Sequence, residues 1–174
     1  MKEVKISSTT IYNGKILRLD KDIIEINGNT AVREVIRHGD GVAILFIKNN
    51  KILLVKQYRY PYNEFIYEIP AGMLEENEEP IVGAIRELEE ETANKVQDLK
   101  YLGTMYPSCG YLDEKIHIFY GTDSIITKTN FDQDEDIESS YVEIDEVKKM
   151  ILDGRIKDAK TICAISYYLI GIEK

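Results

Sequence analysis

Gly72-Met73-Leu74-Glu75-Glu76-Asn77-Glu78-Glu79-Pro80-Ile81-Val82-Gly83-Ala84-Ile85-Arg86-Glu87-Leu88-Glu89-Glu90-Glu91-Thr92 is the stretch on which the reading of this chain turns. Residues 79–92 carry no strand alternation, and Pro80 falls in the first turn of a helix, where a missing N–H costs nothing. Ile81, Ala84, Ile85 and Leu88 lie within about 100° of arc on a helical wheel, so the spacing predicts an amphipathic helix. Positions 87–91 hold four carboxylates, which repel one another and weaken a helix unless something gathers them. Glu87, Glu90 and Glu91 stand at i,i+3 and i,i+4 spacings and share a face, whereas Glu89 points about 160° away from Glu87. That face is expected nearly opposite the apolar stripe. Three oxygen ligands on a rigid element suit a hard divalent cation. Acidic helix faces are ordinarily only solvated. Here the Gly-containing segment 69–78 runs straight into the helix, and such a loop lets the main chain approach a ligand closely.

Working outward, residues 15–26 and 30–37 have strand-like composition around the turn signal Asn27-Gly28-Asn29. Residues 42–47 and 52–55 form apolar, β-branched runs about Asn49-Asn50, a second hairpin. Further strands are expected around 99–105 and 115–122, then helices over 144–152, stopped at Gly154, and over 159–170. Strands, a helix, strands and two more helices predict an α+β fold with helices on both sides of a mixed sheet.

The chain has 174 residues, of which 44% are hydrophobic and 30% charged, enough for one domain with a sizeable core. A net charge of −9 excludes a nucleic-acid backbone as partner unless a basic patch or bound cations reverse the field. Cys109 and Cys163 have no metal-type spacing, which points to a reducing compartment and a cytoplasmic location. The first ten residues lack the apolar core of a signal peptide, and no apolar run is long enough to span a bilayer, so no membrane partner is expected. No Walker-type or dinucleotide-type glycine pattern occurs. Cys109 with His117 makes a poor nucleophilic pair, because no oxyanion loop accompanies them.

Gly72, five residues, Glu78, seven residues, then Arg86-Glu87-Leu88-Glu89-Glu90-Glu91 resembles the Nudix box. The family pattern closes with a glycine and an apolar residue where this chain has Ala93 and Asn94. The resemblance implies a Nudix fold, a mixed β-sheet sandwiched between helices, with a small N-terminal antiparallel β-element. It implies magnesium or manganese held against a substrate diphosphate by Glu87, Glu90 and Glu91, with the Ala71 carbonyl a further ligand. Arg86 and Glu78 would form an ion pair bracing the loop, and Gly72 would be needed for its backbone conformation. Glu90 and Arg86 would belong to the catalytic group.

Outside the box, Tyr67-Glu68-Ile69-Pro70-Ala71-Gly72, Gln57-Tyr58-Arg59-Tyr60, Tyr106-Pro107-Ser108-Cys109-Gly110 and the segment 154–161 resemble ADP-ribose pyrophosphatases of that family. By that resemblance Arg59 contacts substrate phosphate or ribose, and Glu68, Arg33 and Tyr111 join the substrate-binding set; Tyr12 and Tyr58 are alternatives for stacking on the base. The catalytic base comes from the acidic loop 132–138. Glu135 is the expected base, and Gln133 stands where some relatives carry theirs. Residues 1–40 would be the β-element exchanged between the subunits of a homodimer, and 41–174 the Nudix domain. The implied activity is metal-dependent hydrolysis of the diphosphate bond of ADP-ribose or a related nucleoside diphosphate sugar, giving AMP and a sugar phosphate. The alternatives are a hydrolase of another nucleoside diphosphate derivative and a non-catalytic nucleotide sensor.

Overall fold

The computed structural model describes residues 2–130 and 136–172. Three strands come first: β1 (Val4–Asn13), β2 (Leu17–Ile26) and β3 (Asn29–His38). Four follow, β4 (Gly41–Lys48), β5 (Lys51–Arg59), β6 (Glu64–Glu68) and β7 (Ala71–Met73), leading into helix α1 (Pro80–Thr92). Strands β8 (Asn94–Lys95), β9 (Lys100–Met105), β10 (Ile116–Gly121), β11 (Ile125–Ile126) and β12 (Ile137–Glu143) precede α2 (Ile144–Leu152) and α3 (Ala159–Tyr167). The last helix continues as a π-helical turn, Tyr168–Ile172, rather than as the α-helix expected to 170.

The chain divides into two compact units. One comprises the residues up to Asp40 together with Tyr106–Lys115. Its β1-β2-β3 meander is wholly antiparallel, and Asn27 and Gly28 take φ of 54° and 74° at the β2–β3 turn, as a tight primed turn requires. Residues 106–115 return to β3, where the Ile36 N–H donates to the Tyr111 carbonyl at 2.7 Å.

The other unit holds a seven-stranded mixed sheet with the order β12-β5-β4-β10-β9, to which β6 and β7 add against β5 and β4. β10 runs parallel to β4, and the other pairings are antiparallel. β4 is buried along Gly41–Ile47, which is why it reads as a continuous apolar run instead of an alternation. Its side chains nonetheless divide by parity. Ala43, Leu45 and Ile47 pack with Ile144, Val147 and Met150 of α2 and Ala164 and Ile165 of α3. Val42, Ile44 and Phe46 pack with Ala84 and Leu88 of α1. The sheet is therefore covered by helices on both faces, with α1 on one and α2 and α3 on the other.

Candidate active site

Residues Ala84, Leu88, Glu91 and Thr92 form the buried side of α1. This corrects the expectation that the carboxylate face lies nearly opposite the apolar stripe. Glu91 follows Ala84 by almost two full turns, so their side chains share an azimuth. Glu91 is only 5% exposed. A carboxylate is tolerated there because its Oε2 accepts the Ala71 N–H at 3.0 Å. Glu91 thus ties the helix to the first residue of β7.

Arg86 organises the rest of the face. Its Nε and Nη2 donate to Glu78 at 3.0 and 2.9 Å, and Nη2 also reaches the Met73 carbonyl at 3.1 Å. Its Nη1 donates to Glu87 at 2.7 Å and Glu90 at 3.0 Å. One guanidinium therefore offsets two of the four helix carboxylates, Glu87 and Glu90, together with Glu78 of the loop. The bond to Glu78 is the main cause of the raised Arg86 pKa and of the lowered Glu78 pKa. Glu78 further accepts the Glu75 N–H at 3.0 Å, closing the loop ahead of the helix.

Gly72 is required for space, not for its dihedral angles. Gly28 and Gly154 are the described glycines with positive φ, whereas a Cβ on Gly72 would overlap the Glu87 carboxyl group. Gly83, which the sequence reading did not single out, does the same for the loop: a Cβ there would come within 2.5 Å of Leu74 and 2.9 Å of Glu78.

Among the described residues no three Asp, Glu, His or Cys side chains surround a common point for a metal ion. Glu87 and Glu90 converge on the Arg86 Nη1, and Glu91 is turned onto the Ala71 amide. The donor set is nonetheless all carboxylate and main-chain oxygen, the chemistry that magnesium and manganese take. The close seat of Glu87 over Gly72, with no side chain between, keeps that cradle open. These residues fit a hard divalent cation.

The departure at Ala93-Asn94 is accommodated. Ala93 adopts a left-handed conformation, φ 58° and ψ 14°, and its N–H donates to the Glu89 carbonyl at 2.8 Å. A Cβ in that region costs about 1–2 kcal/mol, offset in part by the smaller entropy loss of alanine. Ala93→Gly should therefore raise stability by about 1 kcal/mol in urea unfolding, and a loss of stability would contradict this account. Asn94 is buried, donating to the Thr92 carbonyl at 3.0 Å and accepting from Ser124 at 2.7 Å and Tyr141 at 3.0 Å. In place of an apolar plug it joins the end of α1 to β12 and to the segment before β11.

A second charged cluster lies at the ends of β5 and β6. Arg59 donates to both oxygens of buried Glu68, at 2.6 and 2.8 Å. Lys160 donates to the same carboxylate and, at 3.1 Å, to Asp158. Asp158 caps α3 by accepting the Thr161 N–H at 2.9 Å, and the Thr161 hydroxyl accepts the Ile69 N–H at 2.8 Å. Burial alone would raise the Glu68 pKa, but the bonds from Arg59 and the charge of Lys160 outweigh it and hold the carboxyl below its ordinary range. The Arg59 guanidinium, its pKa raised chiefly by Glu68, also feels the charge of Glu91. Lys160, Asp158, Thr161 and Asn94 were not among the site residues read from the sequence.

Arg33 and Tyr111 belong to the other unit. Arg33 is paired with Glu3 at 2.6 Å, and Tyr111 is 54% exposed. There Arg37 bonds Asp20, Asp22 and Asp113. Tyr58 donates to Asn63 at 2.6 Å and stands edge-on to Phe65, and Tyr12 is exposed on β1. Glu135 and Gln133, on which the choice of base rests, lie outside the described residues. A groove of about 400 Å³ runs along α1 past Val82, Ile85, Arg86 and Glu90 to Lys128 and Asn130. A larger hollow, about 600 Å³, opens instead between residues 95–100 and 120–125, away from the carboxylates; its size carries no weight against the chemistry of α1.

A helix that turns carboxylates toward a glycine-backed loop on one face of a mixed sheet defines a recognisable class. The NUDIX domain profile matches residues 37–165, and the chain belongs to that family. It is 39% identical over 169 residues to the methanol dehydrogenase activator of Bacillus methanolicus, covering 95% of this chain and 91% of the relative. It is 37% identical over 171 residues to the ADP-ribose pyrophosphatase of Bacillus subtilis (strain 168), covering 96% and 92%. The crystal structure of an ADP compounds hydrolase superposes with a TM-score of 0.90 at 19% identity, over 99% of this chain and 95% of that one, which shows a shared fold.

Proposed function

We propose that this NUDIX hydrolase cleaves the diphosphate bond of ADP-ribose, or of a closely related nucleoside diphosphate sugar, to AMP and a sugar phosphate. The observation that carries the reading is the α1 face: Glu87 and Glu90 gathered by Arg86, and Glu91 buried against the Ala71 amide. When bound there, magnesium or manganese would neutralise the diphosphate and bring a water's pKa toward neutrality. Glu87, Glu90 and Glu91, with the Ala71 carbonyl, would hold it. Arg86 would keep the carboxylates in place while Glu78 braces the loop, and Gly72 leaves the room that Glu87 needs. Arg59, electrostatically coupled to Glu91, would bind a substrate phosphate. Glu135 is the proposed base. Glu68, Arg33 and Tyr111 complete the proposed substrate-binding set. The preference for ADP-ribose is supported by the pyrophosphatase of Bacillus subtilis.

The same reading carries a homodimer formed through residues 1–40, supported by the exposed apolar side chains of Val4, Ile6 and Ile11 on β1. A cytoplasmic location is supported by the two free cysteines. Among the described residues no helix is long and apolar enough to cross a membrane. Activation of a methanol dehydrogenase is a second reading, favoured by the Bacillus methanolicus relative.

Phosphate release from a panel of nucleotide sugars, coupled to a phosphatase that acts only on monoesters, tests the proposal. ADP-ribose with magnesium should give the highest kcat/KM. Turnover of none of the panel, alongside stimulation of a methanol dehydrogenase, would move the weight to the second reading.

A further inference from the structure

The first turn of α3 has no part in the proposed chemistry, yet it is wired into it. Ile69 and Glu68 immediately precede the Pro70-Ala71-Gly72 loop, and α3 holds both: Thr161 through the Ile69 N–H at 2.8 Å, Lys160 through the Glu68 carboxylate. The partners are 92 residues apart in sequence. Lys160 is nearly as enclosed as the carboxylate it meets, with side-chain exposures of 11% and 4%. Arg59, on the other side of that carboxylate, keeps 39% of its side chain open. A buried glutamate is therefore held between two cations, a largely enclosed lysine on one side and a half-exposed arginine on the other.

Two forces act on the arginine. Glu68 fixes the guanidinium plane by a bidentate bond, which is why Arg59 can be oriented at a strand end. The same carboxylate, taken alone, would cancel the positive charge that an anionic ligand seeks. Lys160 supplies a second cation to Glu68 from behind, so the carboxylate's charge is shared and Arg59 retains a field toward solvent. Asp158 adds its own charge, meeting Lys160 through Oδ1 and acting on Arg59 less strongly than Glu68 does, while its Oδ2 is bonded by the Thr161 N–H and hydroxyl at the helix cap.

We infer that Lys160 is a positioning residue for diphosphate binding, acting through Glu68 on Arg59 without touching the substrate. The inference rests on Arg59 binding a substrate phosphate. A neutral side chain of similar size at position 160 leaves Glu68 to neutralise Arg59 alone and frees the pair to reorient. Lys160→Met should raise KM for ADP-ribose by about tenfold with kcat within about twofold, the signature of lost ground-state binding. Lys160→Arg should restore most of the affinity, since a cation returns to Glu68.

The decisive experiment is a double-mutant cycle read both by KM and by calorimetric titration of ADP-ribose into protein with calcium in place of magnesium. If Lys160 acts through Arg59, Lys160→Met has no further effect on either readout once Arg59 is alanine. Additive losses in the two backgrounds, or a fall in kcat with KM unchanged, would overturn the inference. Absence of both turnover and binding in the unaltered protein would instead overturn the reading of the function itself. Thermal unfolding of each variant separates a fold defect from a binding defect: Lys160→Arg must regain affinity in proportion to charge, whatever its melting temperature.

Discussion

Glu91→Gln should lower kcat for ADP-ribose by about 10²–10³-fold while leaving the fold intact. The side chain is unusual among the box carboxylates, because it is buried on the packed side of α1 and also bonds the loop through the Ala71 N–H. Glutamine preserves that bond, since its carbonyl oxygen accepts the same amide at the same reach. What it removes is the negative charge next to the loop carbonyl, which a divalent cation needs and the fold does not. Melting temperature and activity should therefore part company in this variant. Comparable losses of both would show that Glu91 is structural, and unchanged turnover would remove it from the ligand set.

The second large effect falls on stability. Glu68→Gln leaves Lys160 and Arg59 facing a neutral amide, and removing one partner of a buried ion pair typically costs about 3–5 kcal/mol. Because Arg59 is partly exposed and keeps some hydration, the lower end applies, about 3 kcal/mol. The sign of the pH dependence follows from the depressed Glu68 pKa. Its ordinary value is 4.5, and the folded state lies below that. The stabilisation is therefore complete above about pH 4.5, where the unfolded carboxyl is also ionised, and is lost as pH falls through the folded value. Urea unfolding of both proteins should show a constant gap from pH 7 down to about 5 and a shrinking gap below. A gap that widened on acidification would reverse the assignment.

The helix and its loop were legible in the sequence because their information is local. The distances from Gly72 to Glu78 and from Glu78 to Arg86 are fixed along the chain, so spacing alone reports which groups can meet. Spacing groups three carboxylates of α1 on one face, but Glu91 belongs to its buried side. Glu91 sits at the azimuth of Ala84, and a wheel centred on the apolar residues would have placed it at the edge of the buried side. The sequence points to a conformational need at Gly72, whereas its role is clearance for Glu87, a contact no local rule predicts. β12 escaped notice because Ser139, Ser140 and Tyr141 lie on an edge strand with little buried surface, and hydrophobic alternation is weak there. β1 is exposed along its whole length and gives no better signal.

Lys160 and Asn94 were invisible for a different reason. Each works through partners far away in sequence, Lys160 through Glu68 and Asn94 through Ser124 and Tyr141. One signal did exist: Asp158 followed three residues later by Thr161 is a helix N-cap pattern, and it marks the turn on which Lys160 is displayed.

Phosphorus NMR of ADP-ribose incubated with the protein and magnesium, then repeated with excess chelator, tests for metal-dependent cleavage of the diphosphate bond. The two coupled diphosphate resonances should give way to two phosphomonoester resonances, those of AMP and ribose 5-phosphate, and chelation should stop the conversion. Diphosphate resonances that persist with magnesium present, or that disappear equally with the chelator, would contradict this chemistry.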